Sequence, residues 1–461
     1  MSKPSKICYV SAFLDIGREK WHTYPRDIST YLRAFSPYVD MFKRDLPNHE
    51  MIVFIDKVHH QALLNLVKDS KIKCIPIDED FMKENIHVWS MLDKETEIMN
   101  SAEYKDAFYN RMSNPENTQP KYTLINHAKI DFVNHAMSLT TAEYFAWVDF
   151  GYFQHICNIP TNPLSLHKLD CDKVNYQILN NLDDNDSDII YTISEAPERF
   201  GGFFFFGNRA VLQEYQKLYH SVLKEFQELN LADDDQHVAM RCYFAKPEMF
   251  KLHHNSSWHK ALIMFQEDLK EIMNRHGSDK GSGHHNYIDM YTKLFESRRF
   301  ERLNVLEIGI GSVNPVITSN MCGKPGGYSP GSSLKGWKEY FPNSNIYGCD
   351  IDRDILISEE RISTFHLDQT NFESIQRSIV DVDREYDIII DDGYHHFPTN
   401  WAVLKQIYPK LKKGGIYVIE DILDYNPQVL SEDFAAGKDI TYHVIDNPQN
   451  RVDNNLLVIL K

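Results

Sequence analysis

Two short stretches near the end of the chain concentrate carboxylates. Asp391 and Asp392 close the apolar run Tyr386-Asp-Ile-Ile-Ile, and Glu420 and Asp421 close the run Gly415-Ile-Tyr-Val-Ile. If these runs are neighbouring parallel strands, their C-terminal ends open on one crevice and three or four carboxylates meet there. Like charges that close are unfavourable unless a cation neutralises them. All-oxygen donors suit a hard ion, Mg²⁺ before Zn²⁺. His395 follows on the loop after Asp392, where a neutral imidazole could take a proton near neutral pH. His396 reads as a supporting or surface histidine.

A second constellation lies upstream. Val305-Leu-Glu-Ile-Gly-Ile-Gly311 is a strand running into a glycine turn. There the missing Cβ lets backbone approach a ligand. The turn is not the dinucleotide fingerprint GxGxxG, because position 314 is Asn. Asp350 ends the next apolar run, farther along the chain than the roughly 20 residues of a plain βαβ unit. The excess is the Gly-, Pro- and Ser-rich segment 314–333, expected as a loop above the site.

The elements that must position these groups alternate. Apolar runs at 304–308, 345–349, 362–367, 386–390 and 415–419 predict parallel strands. Runs at 440–445 and 455–460 predict a terminal hairpin, giving a seven-stranded doubly wound sheet. A comparable pattern precedes it, with strands at 6–13, 50–55, 72–77 and 144–148. Tyr215, Leu218, Val222, Phe226 and Leu229 share one helical face, and the aromatic run 203–206 reads as a buried strand. Leu262, Phe265, Leu269, Ile272 and Met273 predict one amphipathic helix bridging the halves. The boundary is set at 1–262 and 263–461.

The chain has 461 residues, 42% hydrophobic and 25% charged, in the range of globular proteins with two or three domains. Forty-nine basic against 66 acidic side chains give a net charge of −17, a poor match for phosphate backbones, so no nucleic-acid partner is expected. No apolar run approaches the ~20 residues of a membrane span, and the N-terminus lacks a secretory pattern. Seven cysteines without a CxxC pair fit reduced thiols, so a cytoplasmic location is expected. A homo-oligomer is left open.

Glu307-x-Gly309-x-Gly311 resembles motif I of class I S-adenosylmethionine methyltransferases. More specifically, the half from about residue 276 onward resembles the metal-dependent sugar O-methyltransferases of macrolide biosynthesis, the mycinamicin and macrocin type. The shared signatures are Gly277-Ser-Asp-Lys-Gly281, His284-His285-Asn286-Tyr287, Glu307–Gly311, Gly331-Ser-Ser-Leu-Lys-Gly-Trp337, Asp368-Gln369, Asp392-Gly-Tyr-His395 and Glu420-Asp421. The resemblance implies a Rossmann-like fold and methylation of a sugar hydroxyl. It implies S-adenosylmethionine held by Glu307, Gly309, Gly311, Asp279 and Lys280, with Asp350 on the ribose and Asp368 facing the adenine. It further implies Mg²⁺ on Asp392, Glu420 and Asp421, with His395 as base.

In the first half, Ala146-Trp-Val-Asp-Phe-Gly-Tyr152, Phe200-Gly-Gly-Phe-Phe-Phe-Phe-Gly207 and Ala232-Asp-Asp-Asp-Gln236 are followed by His253, His254 and His259. In this order they resemble GT-A glycosyltransferases, specifically the HtrL/WlaTC-like bacterial group, over about residues 5–255. The resemblance implies a nucleotide-sugar donor and a glycan acceptor. Asp149 would be a metal ligand, His254 or His259 a later one, and Asp234 or Asp235 the acceptor-side catalytic carboxylate. Lys129 and Arg199 would hold the diphosphate. Asp149-Phe-Gly151 offers one carboxylate where the usual DxD offers two, so Mn²⁺ or Mg²⁺ at this site is left open.

The fold expectation is therefore α/β, with a GT-A-like domain followed by a class I methyltransferase domain. The functional expectation is a bifunctional glycan-modifying enzyme, joined because fusion raises effective concentration for consecutive steps. The alternative is a sugar O-methyltransferase whose first domain only binds glycan.

Overall fold

The computed structural model describes residues 5–22, 25–155, 162–258, 260–281, 285–323, 328–423, 435, 437–445 and 453–461. His259 and His284 of the motifs above lie outside the described residues. The chain divides into two compact units, Met1–Gln266 and Glu267–Lys461.

In the first unit, β1 (Ile7–Phe13), β2 (His49–Asp56), β3 (Ile72–Ile77), β4 (Tyr144–Val148), β5 (Val174–Ile178), β6 (Phe200–Asn208) and β7 (Phe250–His254) form one sheet. Its order is β3-β2-β1-β4-β6-β5-β7. β1, β2, β3 and β4 run parallel, and β6 runs antiparallel to both its neighbours. Their near-continuous apolar sequences suit strands covered on both faces. Met51, Val53, Phe54 and Ile55 are fully buried, and so are Phe204 and Phe206 in the aromatic run. The helix Arg209–Glu228 turns Leu212, Tyr215, Tyr219, Val222 and Phe226 inward. Leu229, expected on that face, is 55% exposed because the helix ends one residue before it.

The second unit holds β8 (Asn304–Ile308), β9 (Asn345–Asp350), β10 (Ser358–Glu359), β11 (Ile362–His366), β12 (Tyr386–Asp391), β13 (Leu411–Ile419), β14 (Asp439–Val444) and β15 (Asn455–Leu460). The sheet order is β10-β11-β9-β8-β12-β13-β15-β14. Strands β11, β9, β8, β12 and β13 are parallel, and β15 lies antiparallel between β13 and β14. This is the doubly wound sheet expected from the sequence, with a two-residue edge strand, β10, added by the turn before β11.

The helix expected across 262–273 is two helices, Ala261–Met264 and Leu269–His276. The first helix ends at Met264, and Asp268 starts the second. Its side chain accepts from the Glu271 amide, and the Glu271 side chain reaches back to the Asp268 amide. Such a capping box outweighs the apolar spacing that runs through it.

Candidate functional site

In the second unit the chain order of the strands reverses between β8 and β12, the place where open α/β sheets bind ligands. A cleft opens there, lined by Gly309, Gly311, Asp350, Asp368, Asp392, His395 and Asp421. Gly309 and Gly311 have φ of +84° and +82°, a region that favours glycine. A Cβ at Gly309 would strike the Asp392 carbonyl, and one at Gly311 would strike the Tyr328 ring. The first glycine is therefore required by the crossing of two protein loops, before any ligand is considered.

Asp350 closes β9 and offers its carboxylate to the cleft. Its Oδ2 accepts from the Ile310 amide at 2.9 Å and its Oδ1 from the Asp352 amide at 2.9 Å. Each oxygen keeps a lone pair for a hydroxyl donor. Asp368 sits on the same wall, its Oδ1 fixed by the Thr370 amide at 2.9 Å. The long segment after Gly311 supplies Ile317, Ser319, Met321 and Tyr328 to the cleft wall.

Asp392, His395 and Asp421 each bring one ligand atom to within 4.8 Å of the others. His395 Nε2 lies 3.2 Å from Asp392 Oδ1 and 3.5 Å from Asp421 Oδ2. Burial alone would lower the imidazole pKa, but the hydrogen bond to Asp392 and the Asp421 charge outweigh it and raise it to about 9. Burial and the neighbouring Asp392 charge push the Asp421 carboxyl up to about 7. His395 and Asp421 have φ of +55° and +53°, a left-handed backbone that non-glycine residues adopt at a cost of about 1–3 kcal/mol. That strain is spent on aiming both side chains at one point. His396 instead turns outward and pairs its Nδ1 with Thr399 Oγ1 at 2.8 Å.

Below this group the structure departs from the expected assignments. Lys280, expected on the cofactor, is 1% exposed and does not line the cleft. Its Nζ lies 2.5 Å from Asp392, 2.6 Å from Glu420 and 3.2 Å from Glu307. Glu307, also expected on the cofactor, is fully buried beneath the turn, and burial pushes its carboxyl up to about 7. Glu420, expected as a metal ligand, accepts from Lys280 and from the Tyr291 hydroxyl. Asp391 is fully buried among Gln369 and Tyr417 and takes no part in the cluster. Sequence reasoning named Tyr287 and His285 in a shared motif but gave neither a role; the Tyr287 hydroxyl donates to Asp421, and His285 Nδ1 is 3.3 Å from Asp421. The spacing of Tyr287 and Tyr291, one helical turn apart, was the available signal.

Glu307, Asp392 and Glu420 share one buried lysine and Asp421 lies beside them, so the donor chemistry suits a divalent cation against Asp392 and Asp421. The cleft's glycine turn, the Asp350 carboxylate and Asp368 suit a nucleoside-bearing cofactor.

The first unit has its own cleft at its own reversal point, between β1 and β4. Arg18, Arg26, Tyr31, Tyr122, Lys129 and Asp149 line it. Asp149 follows β4 and accepts from Trp147 Nε1 at 2.7 Å. Lys129, the first residue of the helix Lys129–Met137, reaches Asp149 Oδ1 at 3.2 Å, Asp235 Oδ2 at 2.8 Å and the Gly202 carbonyl at 2.8 Å. Gly202 makes this possible, since a Cβ there would lie 2.7 Å from Asp235 Oδ2.

The three aspartates at the start of the next helix divide their tasks. Asp233 pairs with His237 at 2.7 Å, Asp234 caps the helix Asp235–Ala245, and Asp235 is committed to Lys129. Asp235, expected to be catalytic, is 9% exposed and does not line the cleft. His254 is exposed at the end of β7 and does not line it either. Arg199 is held by Asp183 at 2.5 Å and Asp186 at 2.8 Å, away from the cleft lining. The guanidinium groups that do line it, Arg18 and Arg26, sit in a segment where the sequence shows no motif.

Comparison with known proteins follows the same division. Residues 5–267 match the family described as "Bacterial protein of unknown function (HtrL_YibB)", and the chain belongs to that family. Protein HtrL of Escherichia coli K12 is 26% identical over 273 residues, covering 54% of this chain and 88% of that protein. The chain is also similar to mycinamicin VI 2''-O-methyltransferase of Micromonospora griseorubida, 35% identical over 161 residues, covering 34% of this chain and 36% of that enzyme. Demethylmacrocin O-methyltransferase of Streptomyces fradiae is 34% identical over 158 residues, covering 34% of this chain and 36% of that enzyme. The chain thus spans about a third of the length of these methyltransferases. The resemblances to sugar O-methyltransferases and to HtrL are real, and the α/β class in two domains stands. Among the described residues no helix is long and apolar enough to cross a membrane.

Proposed function

We propose that the chain is a glycan-modifying enzyme whose second unit methylates a sugar hydroxyl with S-adenosylmethionine and Mg²⁺. The observation that carries this reading is the convergence of Asp392, His395 and Asp421 on the floor of a cleft that also holds the glycine turn and Asp350. The names of the related methyltransferases support it.

Under this reading Asp392 and Asp421 hold the ion, and Asp350, Asp368, Gly309 and Gly311 hold the cofactor. The bound ion supplies Lewis-acid polarisation of neighbouring sugar hydroxyls, and the cofactor supplies an electrophilic methyl. His395 stands within 3.5 Å of both ion-holding carboxylates and receives the hydroxyl proton once the ion has taken up the charge that otherwise keeps the imidazole protonated. Lys280 keeps Glu420 and Glu307 neutralised and Asp392 in place. Tyr287 fixes Asp421. Placement of hydroxyl and methyl in line is the cleft's main contribution, because the methyl donor needs little further activation.

The test is release of S-adenosylhomocysteine from S-adenosylmethionine with a panel of deoxysugar and hexose glycosides, with Mg²⁺ and with EDTA. Turnover that requires both a glycoside and Mg²⁺ is expected. Turnover unaffected by EDTA would remove the metal from the reading.

For the first unit the reading is glycosyl transfer from a nucleotide sugar. The specific observation in its favour is a cleft at the β1/β4 reversal with two arginines, three tyrosines and Asp149 in its wall. These side chains suit a phosphorylated, ring-bearing ligand. Transfer of label from a nucleotide sugar to a glycan acceptor tests it, and the domain limits follow the two units.

A further inference from the structure

The divalent cation of a nucleotide-sugar site needs carboxylate or imidazole donors that are free to turn toward it. In the cleft of the first unit the residues expected as ligands do not provide them. The wall also holds Asp15, His59 and Glu19, but Asp15 and His59 are paired with each other at 2.8 Å, and the group Asp233, Asp234 and His237 lies outside the cleft lining. Asp149 Oδ1 is taken by Trp147 Nε1 at 2.7 Å and by Lys129 at 3.2 Å. Asp235 is behind Lys129, at 2.8 Å, and outside the cleft lining. His254 points elsewhere, at the exposed end of β7. Among the described residues, the groups of three or more side chains able to share an ion include neither Asp149 nor His254.

What the unit does provide is a fixed positive charge. Lys129 is 6% exposed, yet it lines the cleft and makes three polar contacts, to Asp149, Asp235 and the Gly202 carbonyl. The burial that opposes its charge is outweighed by the two carboxylates, so the ammonium persists well above neutral pH. A buried lysine held on three sides is a built part of the site and cannot swing away as a surface lysine does. Arg18 and Arg26 stand in the same wall, and the Arg18 guanidinium lies 5.3 Å from the centres of both the Trp21 and Tyr122 rings.

We infer that the first cleft binds a nucleoside diphosphate group without a divalent cation, Lys129 standing at Asp149 where an ion would otherwise stand and Arg18 and Arg26 meeting the phosphates. The inference rests on the nucleotide-sugar reading of this unit. It assigns the cleft a division of labour. Lys129 cancels the repulsion that Asp149 and Asp235 would exert on an anion, and the guanidinium pair supplies directional donors to phosphate oxygens.

The experiment is calorimetric titration of the full chain with UDP, GDP, CDP and dTDP, first in EDTA and then with excess Mn²⁺. One of the four is expected to bind in EDTA, with an affinity that Mn²⁺ changes by no more than about threefold. Arg26→Gln, a change confined to the cleft wall, is expected to weaken it about tenfold under both conditions. Lys129→Met keeps side-chain length while removing the charge, and is expected to weaken it at least as much. Binding that appears only with Mn²⁺ overturns the inference and leaves the nucleotide reading standing. Binding in EDTA that ignores both Arg26→Gln and Lys129→Met places the nucleotide elsewhere and overturns the inference too. If none of the four binds under either condition, the nucleotide reading itself falls and takes the inference with it.

Discussion

At the end of β4, Lys129 faces two carboxylates, Asp149 and Asp235. At the ends of β8, β12 and β13, Lys280 faces three, Glu307, Asp392 and Glu420, with Asp421 close by. Both lysines are buried, and both lie at the point where the strand order of their sheet reverses. The difference is in what remains after the lysine is satisfied. In the first unit the two carboxylates share one lysine, and Asp149 is also bonded by Trp147. In the second, Asp392 still presents Oδ1 to His395, and Asp421 is bonded only by neutral or titratable partners. A buried excess of negative charge is tolerable when a cation joins it, so under the proposed reading the same device gives a closed site in one unit and an ion-accepting site in the other.

The largest expected effect tests that contrast directly. EDTA should abolish methyl transfer, with recovery on adding Mg²⁺, while leaving nucleoside diphosphate binding in the first cleft intact. Parallel assays on one preparation decide it. Loss of both functions, or of neither, would mean that the two lysines do not distinguish the sites.

His395→Ala should lower methyl-transfer rate by about 10²–10⁴-fold, the usual contribution of a positioned base. Cofactor affinity, measured by titration with S-adenosylhomocysteine, should hardly move. His396→Ala should be mild, because its ring is turned to Thr399. A larger loss from His396→Ala would exchange the two assignments.

Lys280→Ala removes the one cation shared by three acids and should cost about 3–5 kcal/mol of stability, as expected when a buried pair loses one partner. Denaturant unfolding at neutral pH reads this out. Lys129→Ala should cost less, since only two acids are left behind and Asp149 keeps its bond from Trp147. The contrast sharpens if added Mg²⁺ restores stability to Lys280→Ala and not to Lys129→Ala. Equal costs and equal indifference to Mg²⁺ would break it.

Much of the second unit was legible because its chemistry sits at strand ends. Periodicity placed the strands, and strand ends then placed Gly309, Asp350, Asp392 and Asp421 in one cleft. Which carboxylate meets solvent and which meets a lysine was not legible. Glu420 and Asp421 are adjacent, and only the left-handed turn at Asp421 decides that one points at Lys280 and the other at the cleft. The first unit hid more, because its charges are paired across long sequence gaps. Lys129 meets Asp149 and Asp235 through tertiary packing alone, and Arg18 and Arg26 lie in a stretch with no periodic pattern. The break at Asp268 was readable in principle, since Asp and Glu at the capping-box spacing start helices even inside an apolar pattern.

The smallest effects concern the two glycines that let each lysine cluster assemble. At Gly309 the obstacle to a side chain is backbone, the Asp392 carbonyl, and φ is +84°. Neither can relax without moving the loop that carries Asp392 and His395. At Gly202 the obstacle is a side-chain carboxylate, Asp235 Oδ2 at 2.7 Å, on an ordinary backbone. That carboxylate is anchored by Lys129, so it yields only by lengthening its ion pair. Gly309→Ala should therefore cost about 1–3 kcal/mol, within the range of backbone strain, and should weaken both Mg²⁺ dependence and cofactor binding because the Asp392 loop shifts. Gly202→Ala should cost about 1 kcal/mol, at the low end of overpacking, and should reduce affinity in the first cleft only. Thermal unfolding with both binding assays on each variant separates the cases. If Gly202→Ala proves the more damaging, Asp235 is held more rigidly by Lys129 than a two-carboxylate clamp explains.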